Sequence, residues 1–197
     1  MRVTKNDRVY FYNAVLRRYS IDKGFERAEG LKAGKAIVGE QQAFGIINRD
    51  GSYLIPVQYD SIKEVSLYKS PFYIVQKGGL KGLLDMNGKS ILAPVYQSIV
   101  MTKSGLMKLQ KDNLWSLARL NGTVISSEFY NSMSMEDVFP VPVQRSGKWC
   151  LLNEKGEETK LIKAKSITYT GKGMYTIDYG KKKALMKGNG ELVPVTP

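Results

Sequence analysis

The chain has 197 residues, 43% hydrophobic and 24% charged, so it is long enough to bury a core and too apolar to be disordered. Its 30 basic and 18 acidic residues give a net charge of +12, which favours anionic partners and also serves solubility. Histidine is absent and Cys150 is the only cysteine, which excludes a histidine general base, an intrachain disulfide and a cysteine zinc site. We expect Cys150 to be a small buried residue.

Residues 1–35 can be interpreted in two ways. The stretch RVYFYNAVLRRYSI forms either a hairpin that turns at Asn13-Ala14 or a short helix with Val9, Tyr12, Leu16 and Tyr19 on one face. We prefer strands, because YSI repeats the end of the later units. No apolar run approaches the roughly 18 residues that span a bilayer, and the start lacks a signal peptide's apolar core. We therefore expect no membrane insertion and a location in the cytoplasm or in a larger particle such as a virion.

From residue 36 onward the chain is an internal repeat. Five segments align on a turn glycine, namely residues 44–62, 81–99, 115–133, 149–167 and 183–197. The predicted structural glycines are Gly51, Gly88, Gly122, Gly156 and Gly190, with spacings of 37, 34, 34 and 34 residues. A second turn recurs at Gly78-Gly79, Asp112-Asn113, Ser146-Gly147 and Gly180-Lys181.

Each unit reads as strands. Asn or Asp before the glycine in four units predicts a type I′ hairpin turn, and two turns per unit predict three antiparallel strands. Leu83-Leu84 and Leu151-Leu152 indicate strands that are apolar on both faces, so neighbouring units should cover one another. We predict an all-β array of about five repeats of about 34 residues, each a three-stranded antiparallel meander, arranged as a β-propeller-like ring or an open β-solenoid. Residues 1–35 would be a cap or a degenerate first repeat, continuous with a repeat domain over residues 36–197.

These residues resemble the WG-repeat family, whose units carry an aromatic-glycine pair, an Asn-Gly or Asp-Gly turn, aliphatics followed by proline, and a tyrosine. Phe44-Gly45, Asp50-Gly51, Ile55-Pro56 and Tyr59-Asp60 show the pattern best, and the resemblance covers residues 36–197. Trp115 and Trp149 are followed by Ser116 and Cys150 where the family has glycine. The resemblance implies an all-β module of bacteria and their phages, usually without assigned enzymatic activity and without catalytic residues to carry over.

No residue pattern indicates an enzyme or a metal site. Glu136-Asp137 and Glu157-Glu158 are adjacent pairs, and adjacent residues on a strand point to opposite faces. The stretches NRDG and DMNG echo a calcium loop but lack its closing glutamate, and GLLDMNGKS misses the spacing of a phosphate-binding loop by one residue. We expect no catalytic residue, no metal and no cofactor.

A basic stripe is a candidate site for nucleic acid or another anionic polymer. Its residues are Lys77, Lys111 and Arg145, which share one repeat position, and Lys181, Lys182 and Lys183. Stacked units would line these charges along one edge, as tracking of a phosphate backbone requires. A lysine beside an exposed turn also protects a sheet edge, so polyanion binding is the alternative function.

The segments after each repeat tyrosine differ most between units, at residues 63–72, 100–107, 134–142 and 168–175. In repeat proteins such variable segments usually carry specificity. The candidate partner-binding residues here are Tyr68, Phe72, Phe139, Met174 and Tyr175. We therefore expect a non-enzymatic protein–protein interaction or structural assembly module whose partner is another protein chain.

Overall fold

The structure is a computed structural model that describes residues 1–67 and 70–194. Over these residues the chain forms 21 β-strands and no helix. In this described part, therefore, no helix has the length and apolarity needed to cross a membrane. The chain divides into two compact units, unit 1 (residues 1–95) and unit 2 (residues 96–197).

Unit 1 contains three antiparallel meanders. Sheet 1 consists of β1 (Arg2–Lys5), β2 (Arg8–Asn13) and β3 (Arg18–Phe25). Sheet 2 consists of β4 (Arg27–Ala28), β5 (Lys35–Glu40), β6 (Ala43–Asn48) and β7 (Tyr53–Tyr59). Sheet 3 consists of β8 (Ser61–Leu67), β9 (Ser70–Lys77), β10 (Leu80–Leu84) and β11 (Ser90–Tyr96), the last of which ends at the unit boundary.

Unit 2 contains three more meanders. Sheet 4 consists of β12 (Ser98–Met101), β13 (Leu106–Lys111) and β14 (Leu114–Arg119), and sheet 5 of β15 (Ser132–Met133), β16 (Val141–Arg145) and β17 (Lys148–Leu152). Sheet 6 consists of β18 (Ser166–Gly171), β19 (Met174–Asp178), β20 (Lys183–Lys187) and β21 (Leu192–Val193). The predicted all-β array of antiparallel meanders is confirmed. Sheets 2, 3 and 6 have a fourth strand because the segment after the repeat glycine pairs there as β7, β11 or β21, whereas in sheets 4 and 5 the corresponding segment forms isolated bridges.

Residues 1–35 are strands, as the preferred interpretation expected. The hairpin between β2 and β3 turns at residues 14–17, just after the predicted Asn13. A further turn that the sequence analysis missed joins β1 to β2 at Asn6-Asp7, where φ is 51° and 58°. Two consecutive positive φ values define a type I′ turn, which Asn and Asp tolerate better than most residues.

The turn at the repeat glycine is different from the predicted type I′ turn. Gly51 N–H donates to Asn48 O at 3.0 Å, and Asn48 N–H donates to Ser52 O at 2.8 Å. The same two bonds close the turns at the other repeat glycines. All five glycines have φ between 79° and 88°, whereas the residues before them do not have positive φ. This is a three-residue loop made of a type I turn and a glycine bulge, so only the glycine needs the left-handed region.

The second turn of each sequence repeat has the type I′ geometry instead. Both central residues have positive φ at Gly78-Gly79, Asp112-Asn113 and Ser146-Gly147. In the last repeat, only Gly180 of the predicted pair Gly180-Lys181 has positive φ, and Tyr179 N–H donates to Lys182 O at 3.0 Å. The positions of both turns are therefore confirmed in three repeats, but the type I′ geometry predicted for the turn at the repeat glycine occurs at the second turn instead.

The buried cores lie between consecutive sheets of each unit. One core between sheets 1 and 2 contains Phe11, Ile21, Phe25, Ala36, Val38 and Ile47. The next, between sheets 2 and 3, contains Ile46, Ile55, Tyr73, Val75 and Leu84. In unit 2, Leu152 belongs to the core that joins sheets 4 and 5, and Leu151 to the core that joins sheets 5 and 6. Adjacent strand residues serve different cores because they point to opposite faces, so the predicted covering of each sheet by its neighbours is confirmed within the units.

The repeat glycines also approach the preceding sheet closely. A Cβ on Gly156 would lie 2.0 Å from the carbonyl oxygen of Ile125. The nearest atoms belong to Ile21 for Gly51, Ile55 and Leu54 for Gly88, and Thr159 for Gly190. Glycine is therefore needed here for its backbone conformation and for the space that the neighbouring sheet takes.

Candidate functional site

The predicted basic stripe is not uniform. Lys77 and Lys111 are exposed at the ends of β9 and β13, and Lys77 Nζ donates to Gln58 Oε1 at 3.3 Å. Arg145 differs, because its Nη2 donates to Glu158 Oε2 at 3.0 Å and its Nε is buried without a partner among the described residues. The hydrogen bond to Glu158 also raises the pKa of Arg145. Arg145 is thus already paired with a carboxylate and does not offer a free charge to a polyanion.

The basic run at the end of the chain is open to solvent. Lys181, Lys182 and Lys183 are all exposed, the first two between β19 and β20 and the third at the start of β20. Lys182 Nζ lies 5.7 Å from the centroid of the Tyr179 ring, a cation–π distance. Tyr179 occupies the repeat position that holds Lys77, Lys111 and Arg145 in the earlier units. The stripe therefore ends in a tyrosine with a lysine over its face.

The predicted partner-binding residues have different surroundings. Phe72 and Met174 are half-buried on β9 and β19, and Tyr68 lies outside the described residues. Tyr175 has no exposed surface, and its hydroxyl donates to the carbonyl oxygen of Pro140. Burial raises the pKa of Tyr175 to about 12. Tyr175 is a core residue and is unavailable to a partner, because it points into the space between sheets 5 and 6.

Phe139 is the predicted anchor with the most developed surroundings. It is half-buried, packs against the core between sheets 4 and 5, and follows an exposed stretch that includes Met135. With Pro140 it lines a groove of about 370 Å³ whose other wall is the turn at Asn153, Glu154 and Lys155. We call residues 134–140 the linker segment.

A buried lysine fixes the linker segment, and the sequence analysis missed it. Lys108 on β13 has no exposed surface, and its Nζ donates to Ser134 O at 2.8 Å and to Glu136 O at 2.6 Å. The same ammonium lies 5.8 Å from the Phe139 ring centroid. Burial lowers the pKa of Lys108, and the neighbouring Asp137 and Glu136 carboxylates act in the opposite direction. The sequence feature that could have revealed its role is a lysine at the repeat position that two other repeats fill with Ile74 and Pro142.

A second contact holds the linker segment from its other side. The carboxylate of Asp137 accepts a hydrogen bond from the backbone N–H of Lys103 at 2.8 Å. Glu136 and Asp137 remain exposed, as does Glu154 across the groove. The linker segment therefore exposes two carboxylates in a protein whose net charge is +12, and Glu154 and Lys155 are the charged residues that line the groove.

The other strongly shifted groups of unit 2 are structural. Tyr130 has no exposed surface, and its hydroxyl donates to Glu158 Oε1 at 2.8 Å. Burial and this bond raise the Tyr130 pKa. Cys150 lies in the same core, and burial raises the pKa of its thiol to about 12. Within residues 1–67 and 70–194, no group of three or more Cys, Asp or Glu side chains could hold a metal ion.

Comparison with protein families agrees with the repeat that the turns and sheets define. The family model described as "WG containing repeat" matches residues 44–80 and 82–115. The chain contains WG repeats. A search of curated proteins found no match.

Solved structures similar to this chain share little sequence with it. A crystal structure of a protein of unknown function from Bacteroides caccae is 13% identical, with a TM-score of 0.32, over 95% of this chain and 88% of that one. Hsv2p of Kluyveromyces lactis is 12% identical, with a TM-score of 0.43, over 85% of this chain and 62% of that one. The CNH domain of AfRom2 is 13% identical, with a TM-score of 0.29, over 100% of this chain and 77% of that one. At these identities and TM-scores the similarities carry no argument about function.

The glycine of the WG pair has a visible role in unit 1. A Cβ on Gly45 would lie 2.6 Å from Ile55 O, and one on Gly82 would lie 2.8 Å from Leu92 O. The absence of a side chain lets the following strand, β7 or β11, approach closely. Ser116 and Cys150 replace this glycine in unit 2, and there the corresponding segments pair only through isolated bridges, such as Ala118 with Val124 and Leu152 with Glu158.

Proposed function

We propose that this WG-repeat chain is a non-enzymatic binding protein whose linker segment contacts another protein. The observation that carries the proposal is Lys108, a fully buried lysine that holds the linker segment through two backbone carbonyls. Burying an ammonium group is costly unless it is hydrogen-bonded, and an apolar side chain could fill the Lys108 position without this cost. The lysine at this position is therefore explained by the defined conformation that its hydrogen bonds give to the linker segment.

A preformed segment suits binding. Because residues 134–140 are already held by Lys108 and by the Lys103 N–H, little conformational entropy would be lost when a partner docks. Met135 is 45% exposed and Phe139 lines the groove, so the segment offers apolar area beside polar groups. This is the composition of a protein contact surface.

The charges around the groove indicate the kind of partner. Glu136 and Asp137 are exposed on the linker segment, and Glu154 and Lys155 line the groove. A partner segment with an apolar side chain for the groove and basic residues for the Glu136 and Asp137 carboxylates would therefore match this surface in shape and in sign. We propose such a segment of another protein chain as the ligand.

The same geometry argues against lysine catalysis. Lys108 has the lowered pKa that lysine nucleophiles need, but its residue has no exposed surface and its ammonium donates to two carbonyls. A substrate would have no access to the nitrogen. The shifted pKa therefore follows from a structural role.

Site-specific photo-crosslinking tests the proposal. Photoreactive p-benzoylphenylalanine is incorporated in place of Met135 in the producing cells. The matched control position is Met86, which is 44% exposed on the turn between β10 and β11 in unit 1. We expect a discrete protein adduct from position 135 and none from position 86. Whether the adduct fractionates with cytoplasm or with particles also tests the predicted location.

Lys108→Met provides the mechanistic arm. Methionine keeps the apolar stem but loses both carbonyl bonds, so we expect faster hydrogen exchange over residues 135–139 and a lower adduct yield. Equal adducts from positions 86 and 135, or an undiminished yield in the variant, would contradict the proposal.

A further inference from the structure

Sheet 1 carries an aromatic face outside its core. Tyr10 and Tyr12 on β2 lie on either side of Tyr19 on β3, with ring centroids 5.2 Å and 5.7 Å from the Tyr19 ring. Gly24 makes room for this arrangement, since a Cβ there would lie 2.5 Å from the Tyr10 ring. The opposite face of the sheet contributes Phe11, Ile21 and Phe25 to the core. Tyr19 is 37% exposed at the centre of the tyrosine row.

Three arginines surround the end of this row. Arg17, Arg18 and Arg49 are exposed and, with Tyr12 and Tyr19, line a shallow cavity of about 680 Å³. Within the described part of the chain, none of these three arginine side chains makes an ion pair or a hydrogen bond. The cavity thus holds unpaired guanidinium groups next to aromatic rings.

The loop that presents two of the arginines is ordered by its own backbone. Asn13 Oδ1 accepts hydrogen bonds from the N–H groups of Val15 and Leu16, both at 3.0 Å. Arg17 then adopts a φ of 49°, which returns the chain to β3 and places Arg17 and Arg18 at the cavity. The arginines are therefore positioned by a closed turn before any ligand arrives.

We propose that this cavity binds single-stranded nucleic acid. This function is additional to the proposed protein contact, and the cavity residues belong neither to the basic stripe nor to the linker segment. Guanidinium groups match phosphate geometry, and an exposed tyrosine provides a face on which a base stacks. Ser20 and Asp22 also line the cavity, and a base or sugar brings the hydrogen-bond donors that the Asp22 carboxylate accepts. The volume lies within the range of about 300–1,000 Å³ that accommodates small ligands, here one or two nucleotides.

The hairpin tip suggests the competing ligand, an anionic membrane surface. Val15 is 90% exposed and Leu16 57% exposed beside the same arginines. Two aliphatic side chains give little area for insertion, and a carboxylate in the lining opposes a wholly anionic surface. Tyr19 and Asp22 therefore favour the nucleic acid, and the membrane becomes an outcome of the test.

Fluorescence anisotropy with a labelled oligouridylate of about ten nucleotides at low salt tests the site, because stacking on tyrosine tolerates any base. We expect the triple variant Arg17→Gln/Arg18→Gln/Arg49→Gln to weaken binding at least about tenfold and to reduce the salt slope by about two, since each phosphate contact on a single strand contributes about 0.7. Tyr19→Leu, which keeps all charges, should weaken binding about tenfold. Thermal denaturation checks that each variant is folded.

The matched control removes three lysines, by Lys181→Gln/Lys182→Gln/Lys183→Gln, so both triple variants change the net charge equally. Retained binding in this control, together with loss in the arginine variant, supports the proposal. Equal losses in both, unchanged binding in Tyr19→Leu, or no binding by the unaltered chain would overturn it. Binding to phosphatidylserine vesicles that falls in Val15→Ser/Leu16→Ser, without oligonucleotide binding, would assign the cavity to membranes instead.

Discussion

Gly156→Ala tests the rule that each repeat turn is seated on the preceding sheet. Gly156 has a φ of +87°, and a Cβ there would lie 2.0 Å from Ile125 O and 2.8 Å from Ile125 C. Both atoms belong to the backbone and cannot move away by rotation of a side chain. Gly147→Ala is the matched control, because Gly147 has a φ of +72° and nothing within 4 Å of its Cβ position.

The two substitutions separate conformational strain from contact. Alanine in the left-handed region costs roughly 1–2 kcal/mol, which both variants share. Overpacking against an immobile neighbour adds about 1–3 kcal/mol, and this applies to Gly156 alone. We therefore expect Gly147→Ala to lose about 1–2 kcal/mol of unfolding free energy and Gly156→Ala about 2–5 kcal/mol.

Urea denaturation followed by tryptophan fluorescence measures this difference. Trp115 and Trp149 are the only tryptophans and both lie in unit 2, as do the two glycines, so the probe reports the unit that is perturbed. The denaturant slope should stay constant while the midpoint shifts. Equal losses in the two variants would refute the seating of the turn at Gly156 on the segment at Ile125.

Two further predictions concern buried titratable groups. Tyr175 has a folded pKa of about 12 against an ordinary value of 10, so the unfolded chain loses this proton first, and the stabilisation present below pH 10 should disappear between pH 10 and about 12. Tyr175→Phe should lower the free energy of unfolding by about 1 kcal/mol at neutral pH, because it lacks the hydrogen bond to the Pro140 carbonyl. Above pH 10, urea titrations should show a smaller further loss in this variant than in the unaltered chain, and a larger loss would contradict the prediction. The thiol of Cys150, buried and with a pKa of about 12, should react with a disulfide reagent at about pH 8 only after urea unfolds the chain, and fast labelling of the native protein would place it at the surface.

The sequence predicted the candidate functional surfaces unevenly. It identified the variable linker segment and Phe139, because departures from a repeat are visible when units are aligned. It did not predict that Arg145 is paired with Glu158, since the two residues lie 13 positions apart on different segments of sheet 5. It also missed Lys108, because one charged residue in an apolar strand gives no indication of the carbonyls that will surround it.

The repeat can be derived from the sequence alone: it follows from the spacing of Gly51 to Gly190, the strands between the turns, and apolar pairs such as Leu151-Leu152 that require a neighbour on each face. These features are local, and each recurs in most of the repeats. The folded structure was needed to define the turn type at the repeat glycines, the burial of Tyr175 and the position of Arg17, Arg18 and Arg49 around one cavity. Burial and the assembly of the cavity depend on contacts between segments that are distant in the chain, and a periodic sequence pattern does not contain these contacts.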